Sequence, residues 1–252
     1  MFRFGKATLL ANFGNGNYLE VGIQKTEVKI MVDRDKNSRI QIRPVPLLKL
    51  PSQVDSNRPV HWDGDTVFVF TSAGHPFRSF GKSLFDLSEP KPVKFNNEVN
   101  GGRWIESTIK ANDGTLYGWY HFEPRNVCPG TNLTAPQIGA IRSQDNGETW
   151  EDLGIVLKAP EEKIDCKAQN GYFAGGHGDF CVLLDSKGEW LYFFFGNYGG
   201  DLKEQGVCIA RMKWNERNEP VGKVWKWHES DWKEPGIDGK VTPILPASVA
   251  WQ

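Results

Sequence analysis

The stretch Asp179-Phe-Cys-Val-Leu-Leu184, Asp185-Ser-Lys-Gly188, Trp190-Leu-Tyr-Phe-Phe-Phe195 consists of an apolar strand, a Gly-containing polar turn and an aromatic strand. The same unit occurs twice earlier in the chain, with its turns at Asp63-Gly-Asp65 and Asn112-Asp-Gly114. Glycine at these turns supplies the positive φ that tight hairpins need. Repeated hairpins at intervals of some tens of residues are typical of a β-propeller. We therefore predict an all-β chain with a β-propeller fold.

The repeats predict how the 252 residues are organised as a single propeller domain, 1–252. We expect three blades at 55–98, 101–160 and 172–232, with the third strand of the first blade at 82–87. A further hairpin is predicted at 26–43. The C-terminal segment 246–252 resembles the blade opening at 57–62 and predicts the start of another blade. Two interpretations stay open: the last strand closes a ring with the N-terminal strands, or the chain is a fragment. We favour the fragment, because an open sheet edge invites aggregation.

Composition excludes two classes of partner. The formal net charge is -1, and charges of both signs are scattered along the chain, so a nucleic-acid surface is not expected. No window approaches 18 consecutive apolar residues, so no membrane span is predicted. The oligomeric state stays open.

The four cysteines fall into two kinds by context. Cys181 and Cys208 lie in apolar strands, where we expect small buried thiols. Cys128 and Cys166 lie in polar segments and would pair if the protein is secreted. These loop cysteines and the sequon at Asn132 slightly favour a secreted or periplasmic protein. No zinc-ligand spacing is present, and we expect no metal and no cofactor.

The segment Ser143-Gln-Asp145-Asn-Gly147-Glu-Thr149-Trp150 matches the S-x-D-x-G-x-T-W pattern called the Asp box. Its polar side chains bond the backbone of the turn, and its tryptophan packs beneath. We expect this turn on the periphery of a blade, with Trp150 buried, so the motif supports the fold rather than catalysis.

Polar residues at the opening of each blade are the first candidates for a functional site, because opening strands line the channel of a propeller. Carboxylates from different blades would then converge, and partial burial would separate their pKa values. These residues are Asp55, Asn57 and Arg58, then Arg103 and Glu106, then His177 and Asp179.

A second polar set follows the second strand of each blade, and its equivalent placement predicts a shared pocket wall. Alternation points His121 and Glu123 to the same face of their strand. This set comprises Ser72, His75 and Arg78, then His121 and Glu123, then Asn197 and Tyr198.

The chain resembles the propeller-fold glycoside hydrolases, a group that includes five-bladed arabinanases, β-xylosidases and fructan-processing enzymes and six-bladed sialidases. The resemblance covers 55–232 and rests on the hairpin spacing, the Asp box and the acids at blade openings. Gly101-Gly-Arg-Trp-Ile-Glu-Ser107, Tyr117-Gly-Trp-Tyr-His121 and Gly178-Asp-Phe180 look like segments of glycosidase-like bacterial proteins. The resemblance implies five blades, of which this chain would cover about four.

The resemblance and the converging acids together predict hydrolysis of a glycosidic bond in a polysaccharide or oligosaccharide. Glu106 and Asp179 are the expected carboxylate pair, with Asp55 as a third member. Two alternatives stay open. One is a non-catalytic carbohydrate-binding propeller. The other is a sialidase-like exo-glycosidase, in which Arg58, Arg78 and Arg103 would cluster around a substrate carboxylate.

Overall fold

The computed structural model describes residues 50–52 and 54–251. This part of the chain forms sixteen strands in three sheets and three short 3-10 turns. The 3-10 turns are Glu161–Lys163, Leu202–Glu204 and Trp214–Glu216. The hairpin predicted at 26–43 lies outside the described residues. Within the described part, no helix is long and apolar enough to cross a membrane.

The first sheet has the order β1-β2-β3-β4, with β5 also paired to β3. The turn between β2 and β3 is made by 73–75, where Gly74 has a φ of 83°. The third strand therefore starts at Pro76, and the prediction of that strand at 82–87 was wrong. The strands are β1 (Val60–Asp63), β2 (Thr66–Ser72), β3 (Pro76–Ser83), β4 (Asp86–Leu87) and β5 (Lys91–Pro92).

The second sheet is an antiparallel meander, β7-β8-β9-β10, with β6 added in parallel to the outer edge of β10. Since β6 follows the first sheet in the chain, this edge strand ties the first two sheets together. The predicted Asn112-Asp-Gly114 turn joins β7 to β8, and Gly114 has a φ of 87°. The strands are β6 (Lys94–Phe95), β7 (Gly101–Lys110), β8 (Leu116–Pro124), β9 (Gln137–Ser143) and β10 (Thr149–Leu157).

The third sheet has the order β11-β12-β13-β14-β15, and β16 pairs with β13. Leu245 and Pro246 of β16 thus lie beside the third sheet. The role of 246–252 as the opening of a further blade stays a prediction. The strands are β11 (His177–Leu184), β12 (Trp190–Asn197), β13 (Gly206–Lys213), β14 (Trp225–His228), β15 (Asp231–Pro235) and β16 (Leu245–Pro246).

The three sheets stack face to face through two apolar clusters. Phe70 of β2 packs with Ile105 and Trp150 of the second sheet. Trp119 of β8 meets Phe193 of β12 edge-on, with ring centroids 5.8 Å apart, between the second and third sheets. Burying aromatic surface of this size is a main source of cohesion between layers.

The opening strands of the three sheets lie next to one another. β7 contacts β1 and β2 on one side and β11 on the other. The Val182 N–H of β11 donates to Ser107 Oγ of β7 at 2.9 Å. Consecutive antiparallel sheets whose first strands meet are blades of a β-propeller. The prediction of an all-β propeller is therefore confirmed, and the total number of blades beyond the three described stays a prediction.

The Asp box closes the turn between β9 and β10. The Asp145 carboxylate accepts bonds from the Thr149 N–H, the Thr149 hydroxyl, the Glu148 N–H and the Ser143 hydroxyl. Trp150 is 1% exposed and meets Phe70 of the first sheet at 5.7 Å between ring centroids. The predicted burial of Trp150 is confirmed.

The states of the four cysteines agree with the prediction except at Cys181. Cys128 and Cys166 form a disulfide across a sequence separation of 38 residues. Cys208 is buried, as predicted, but Cys181 is exposed. The side chain of Cys181 lies on the face of β11 opposite Phe180 and Val182, which pack against the second sheet.

Candidate active site

Both predicted carboxylates occupy β-bulges in the opening strands of adjacent blades. In β7, Glu106 is the extra residue between the Ile105–Tyr120 and Ser107–Trp119 pairs. In β11, Asp179 is the extra residue between the Gly178–Gly196 and Phe180–Phe195 pairs, and its φ is 42°. A bulge interrupts strand alternation and redirects one side chain. Two equivalent bulges thus bring two acids to one place between blades.

Glu106 is a buried acid, with 6% of the residue exposed. Burial raises the pKa of Glu106 from its ordinary value of 4.5 to about 8. The Asn57 N–H, which donates to Oε2 at 2.7 Å, opposes this rise in pKa, and the carboxylates of Asp179 and Asp55 add to it. Glu106 is therefore protonated at neutral pH and can donate a proton.

Asp179 is an exposed acid held by two neighbours. Its Oδ2 accepts a hydrogen bond from the Tyr198 hydroxyl at 2.7 Å. Its backbone N–H donates to His121 Nδ1 at 3.3 Å. The position of this carboxylate is thus set by β8 of the second blade as well as by its own blade.

His121 connects the second blade to the Asp179 bulge. Because its Nδ1 accepts the Asp179 N–H, its Nε2 carries the ring proton and donates to Glu123 Oε1 at 3.1 Å. A Cβ at position 178 would lie 2.5 Å from His121 Cε1, so only glycine lets the ring approach. Glu123, His121 and the backbone of Asp179 form one continuous hydrogen-bonded chain.

Tyr198 remains a phenol. Burial raises the pKa of its hydroxyl well above the ordinary value, and the carboxylates of Asp179, Glu106 and Glu123 raise it further. The phenol is therefore a permanent hydrogen-bond donor to Asp179. The carboxyl groups of Asp179, Glu106 and Glu123 thus all lie close enough to this hydroxyl to raise its pKa.

The first blade contributes Asn57 and Asp55. The side-chain amide of Asn57 donates to the Phe180 carbonyl at 2.8 Å, while its backbone N–H holds Glu106. Asn57 therefore links the first blade to both other opening strands. The exposed Asp55, whose N–H donates to the Ser72 carbonyl at 2.7 Å, raises the pKa of Glu106 by its charge.

A polar groove of about 450 Å³ lies on the side of His121 that faces Trp104 and Glu123. Trp104 and Glu123 line it, and both contact His121. Its other walls come from the strand ends and loops of the first two blades, at Gly74, Gly101, Gly102, Pro124, Arg125, Asn126 and Thr131–Thr134. Glu123 is the acid that lines the groove, and Glu106, Asp179 and Asp55 are not among its lining residues.

Two of the predicted arginines form ion pairs with acids outside the candidate site. Arg78 lies on β3, where it pairs with Glu148 at 2.8 Å and donates to the Asp145 carbonyl. Arg103 pairs with the buried Asp152 at 2.7 Å. Both arginines are thus engaged in ion pairs. The structure therefore does not bring Arg78 and Arg103 together as a carboxylate-binding cluster.

Three further predicted residues differ in how far they are exposed to solvent. Arg58 is half-buried, and burial lowers its pKa. His75 is exposed in the turn between β2 and β3, with its ring 5.7 Å from that of Phe77. His177 is fully buried, and burial lowers its pKa well below the ordinary value. The ring of His177 is closed to solvent, so it cannot contact a ligand.

Sequence reasoning missed two aromatic residues beside Asp179. The Phe173 ring stacks on Tyr198 with centroids 4.9 Å apart, and Trp251 lies 5.8 Å from Phe173 and 5.1 Å from Tyr198. The signal for Phe173 was its place just before the Gly175-Gly-His-Gly178 stretch. Trp251 could have been found from its likeness to the blade-opening segment that ends at Trp62.

Among the described residues, no group of three or more histidines, cysteines or acids is arranged to hold a metal ion. What the site offers chemically is a protonated acid, exposed carboxylates and hydrogen-bond donors.

Comparison with known proteins finds similarity in structure alone. No protein-family profile matches the chain, and no curated protein matches it in sequence. The chain is similar to an α-L-arabinanase from Cellvibrio cellulosa at 16% identity and a TM-score of 0.46, over 75% of this chain and 59% of that one. It is similar to an exo-β-1,3-galactanase from Clostridium thermocellum at 12% identity and a TM-score of 0.44, over 70% and 38%.

A third similar structure is an α-L-arabinofuranosidase from Lactobacillus brevis, at 11% identity and a TM-score of 0.43 over 63% of this chain and 48% of that one. The chain spans less than two thirds of the length of each of these three proteins.

Proposed function

We propose that this protein is a glycoside hydrolase that cleaves a polysaccharide or oligosaccharide at the mouth formed by Glu106, Asp179 and Asp55. One observation carries the proposal: a buried acid whose pKa is raised to about 8 lies among exposed carboxylates from neighbouring blades. Glycosidic bond cleavage needs this division between a protonated and an ionised carboxyl group.

Glu106 has the role of general acid. Its carboxyl proton moves to the glycosidic oxygen as the bond between that oxygen and the anomeric carbon breaks. The leaving sugar departs as an alcohol, so no alkoxide has to form. Burial of Glu106 keeps the proton in place near neutral pH until a substrate oxygen arrives.

Asp179 has the role of the ionised partner, supported by Asp55. Its carboxylate takes a proton from an attacking water, or bonds to the anomeric carbon itself. The Tyr198 hydroxyl and the His121 ring hold Asp179 in position for either step. Positioning of this kind lowers the entropic part of the barrier.

Substitution of the two carboxyl groups tests the proposal. On a panel of aryl glycosides and neutral polysaccharides, Glu106→Gln and Asp179→Asn should each lower the rate by about 100-fold or more, since general acid–base assistance supplies ~10²–10⁴. Matched controls are Glu89→Gln and Asp86→Asn, which change acids at the outer edge of the first sheet. The controls should leave the rate unchanged.

If both site variants keep full activity, the carboxylate pair is not catalytic. If no glycan is hydrolysed but glycans bind, the non-catalytic carbohydrate-binding propeller becomes the better account.

A further inference from the structure

Three aromatic side chains pack against one another in a cluster that we call the aromatic wall: Phe173, the buried Tyr198 and the exposed Trp251. Phe173 lies against Tyr198 with an interplanar angle of 27° and against Trp251 with one of 20°, so their faces are nearly parallel. Trp251 is 43% exposed, and its backbone N–H donates to Gln205 Oε1 at 2.7 Å. The C-terminal segment is thus bonded to the third blade with an indole at the surface.

The aromatic wall is joined to the candidate catalytic group by a single hydrogen bond. The Tyr198 hydroxyl donates to Asp179 Oδ2, while the Tyr198 ring packs on Phe173 and Trp251. The exposed indole of Trp251 is therefore connected to this carboxylate through one residue, Tyr198. Sugar rings have apolar C–H faces that pack well on aromatic rings, which offer large apolar area at low entropic cost.

The charge around the wall favours an uncharged sugar. Asp179 and Glu123 act electrostatically on the Tyr198 hydroxyl, whereas Glu106 is protonated at neutral pH and carries no charge. Arg78 and Arg103 are engaged with Glu148 and Asp152, and the third arginine of the predicted cluster, Arg58, is half-buried with its pKa lowered by burial. A carboxylated sugar on the wall would meet like charges, which disfavour binding.

We propose that Trp251, supported by Phe173, binds one neutral sugar ring beside Asp179 and determines the specificity of the site for uncharged glycans. This inference rests on the proposed function, whose substrate class it narrows to neutral sugars. The sialidase-like alternative is disfavoured by the same argument, because it requires an acidic sugar at this mouth.

A binding experiment on a catalytically silenced protein tests the inference. The full chain carrying Glu106→Gln is titrated calorimetrically with neutral xylo-, arabino-, galacto- and gluco-tetraoses, and with tetragalacturonate and sialyllactose as anionic probes. Adding Trp251→Ala should weaken neutral binding by about tenfold or more, as for loss of an aromatic anchor. Trp251→Phe keeps a ring and should recover most of the affinity. Trp225→Ala, which removes another exposed tryptophan on β14, is the matched control and should change nothing.

Three outcomes would overturn the inference: Trp251→Ala binds neutral glycans as well as its parent, an anionic probe binds more tightly than every neutral one, or no neutral glycan binds. The proposed hydrolysis fails separately. If binding depends on Trp251 while Glu106→Gln turns over substrate at the full rate, the sugar-binding role of Trp251 is retained and the role of Glu106 as general acid is rejected. If hydrolysis depends on Glu106 while Trp251→Ala leaves KM unchanged, the role of Glu106 is retained and the sugar-binding role of Trp251 is rejected.

Discussion

At the scale of single residues, the site depends on a few hydrogen bonds and one close contact around Asp179. His121 reaches the Asp179 N–H only because position 178 has no side chain. The hydrogen bond from Nε2 to Glu123 then fixes the ring tautomer. Asp179 is a non-glycine residue with a φ of 42°, a conformation that needs support from its surroundings. His121 and Tyr198 supply that support from two sides.

Gly178→Ala tests whether the position of Asp179 depends on close approach of the His121 ring. The new Cβ would lie 2.5 Å from His121 Cε1, so the ring must shift and release the Asp179 N–H. We expect the rate to fall by roughly 10- to 100-fold, since small misplacements of a catalytic group cost this much. Gly118→Ala is the control, because its Cβ would crowd Ile141 and Trp150 in the core, away from the mouth. It should lower stability and leave the rate of the folded protein intact. Equal losses of rate in both variants would contradict the positioning role of His121.

At the scale of elements, hairpins and their turns form the blades, and two β-bulges place Glu106 and Asp179 in the candidate site. The Asp box shows how a turn supports a blade, because one carboxylate accepts four hydrogen bonds across the turn from β9 to β10. Beneath it Trp150 fills the space between the first two blades. The Glu106 and Asp179 bulges show how strands form the site, because each one redirects an acid out of the strand register.

Truncation within the Asp box should separate packing from hydrogen bonding. Trp150→Ala should lower the free energy of unfolding by about 3–5 kcal/mol, because it empties a fully buried site. Asp145→Ala should lower it by about 1–2 kcal/mol through lost turn hydrogen bonds. Urea unfolding measures both, with Trp62→Ala as a control at a half-exposed tryptophan. A smaller loss for Trp150→Ala than for Trp62→Ala would contradict the interpretation of this turn as a blade support.

Much of the element level could be predicted from sequence, and the site only in part. Turns at 63–65, 112–114 and 185–188 depend on local residue types, so the hairpins were found correctly. The bulges could not be predicted, because alternation in the sequence does not show where a strand gains an extra residue. Arg78 was placed at the mouth because the turn at Gly74 was missed, and β3 begins two residues before Arg78. Local patterns mark Phe173 and Trp251 separately, but their contact could not be predicted, because loops distant in sequence bring the two rings together.

At the scale of the whole molecule, groups from all three described blades determine the pKa of Glu106. The second blade supplies the acid and its burial, the first supplies Asp55 and the Asn57 N–H, and the third supplies Asp179. The folded pKa of about 8 exceeds the ordinary 4.5, so the folded state binds the extra proton between these values. This contribution to stability is complete below about pH 4.5 and is lost as the pH rises through about 8. As the pH rises through about 8, Glu106 also loses the proton that it needs to act as general acid.

Titration of the Glu106 carboxyl group by ¹³C NMR, assigned by comparison with Glu106→Gln, tests the central claim most directly. The account predicts a pKa of about 8 in the folded protein. It also predicts a lower pKa in Asp179→Asn, because the neighbouring negative charge is removed. A Glu106 pKa near 4.5, unmoved by Asp179→Asn, would contradict the account, because the site would then hold no protonated acid at neutral pH.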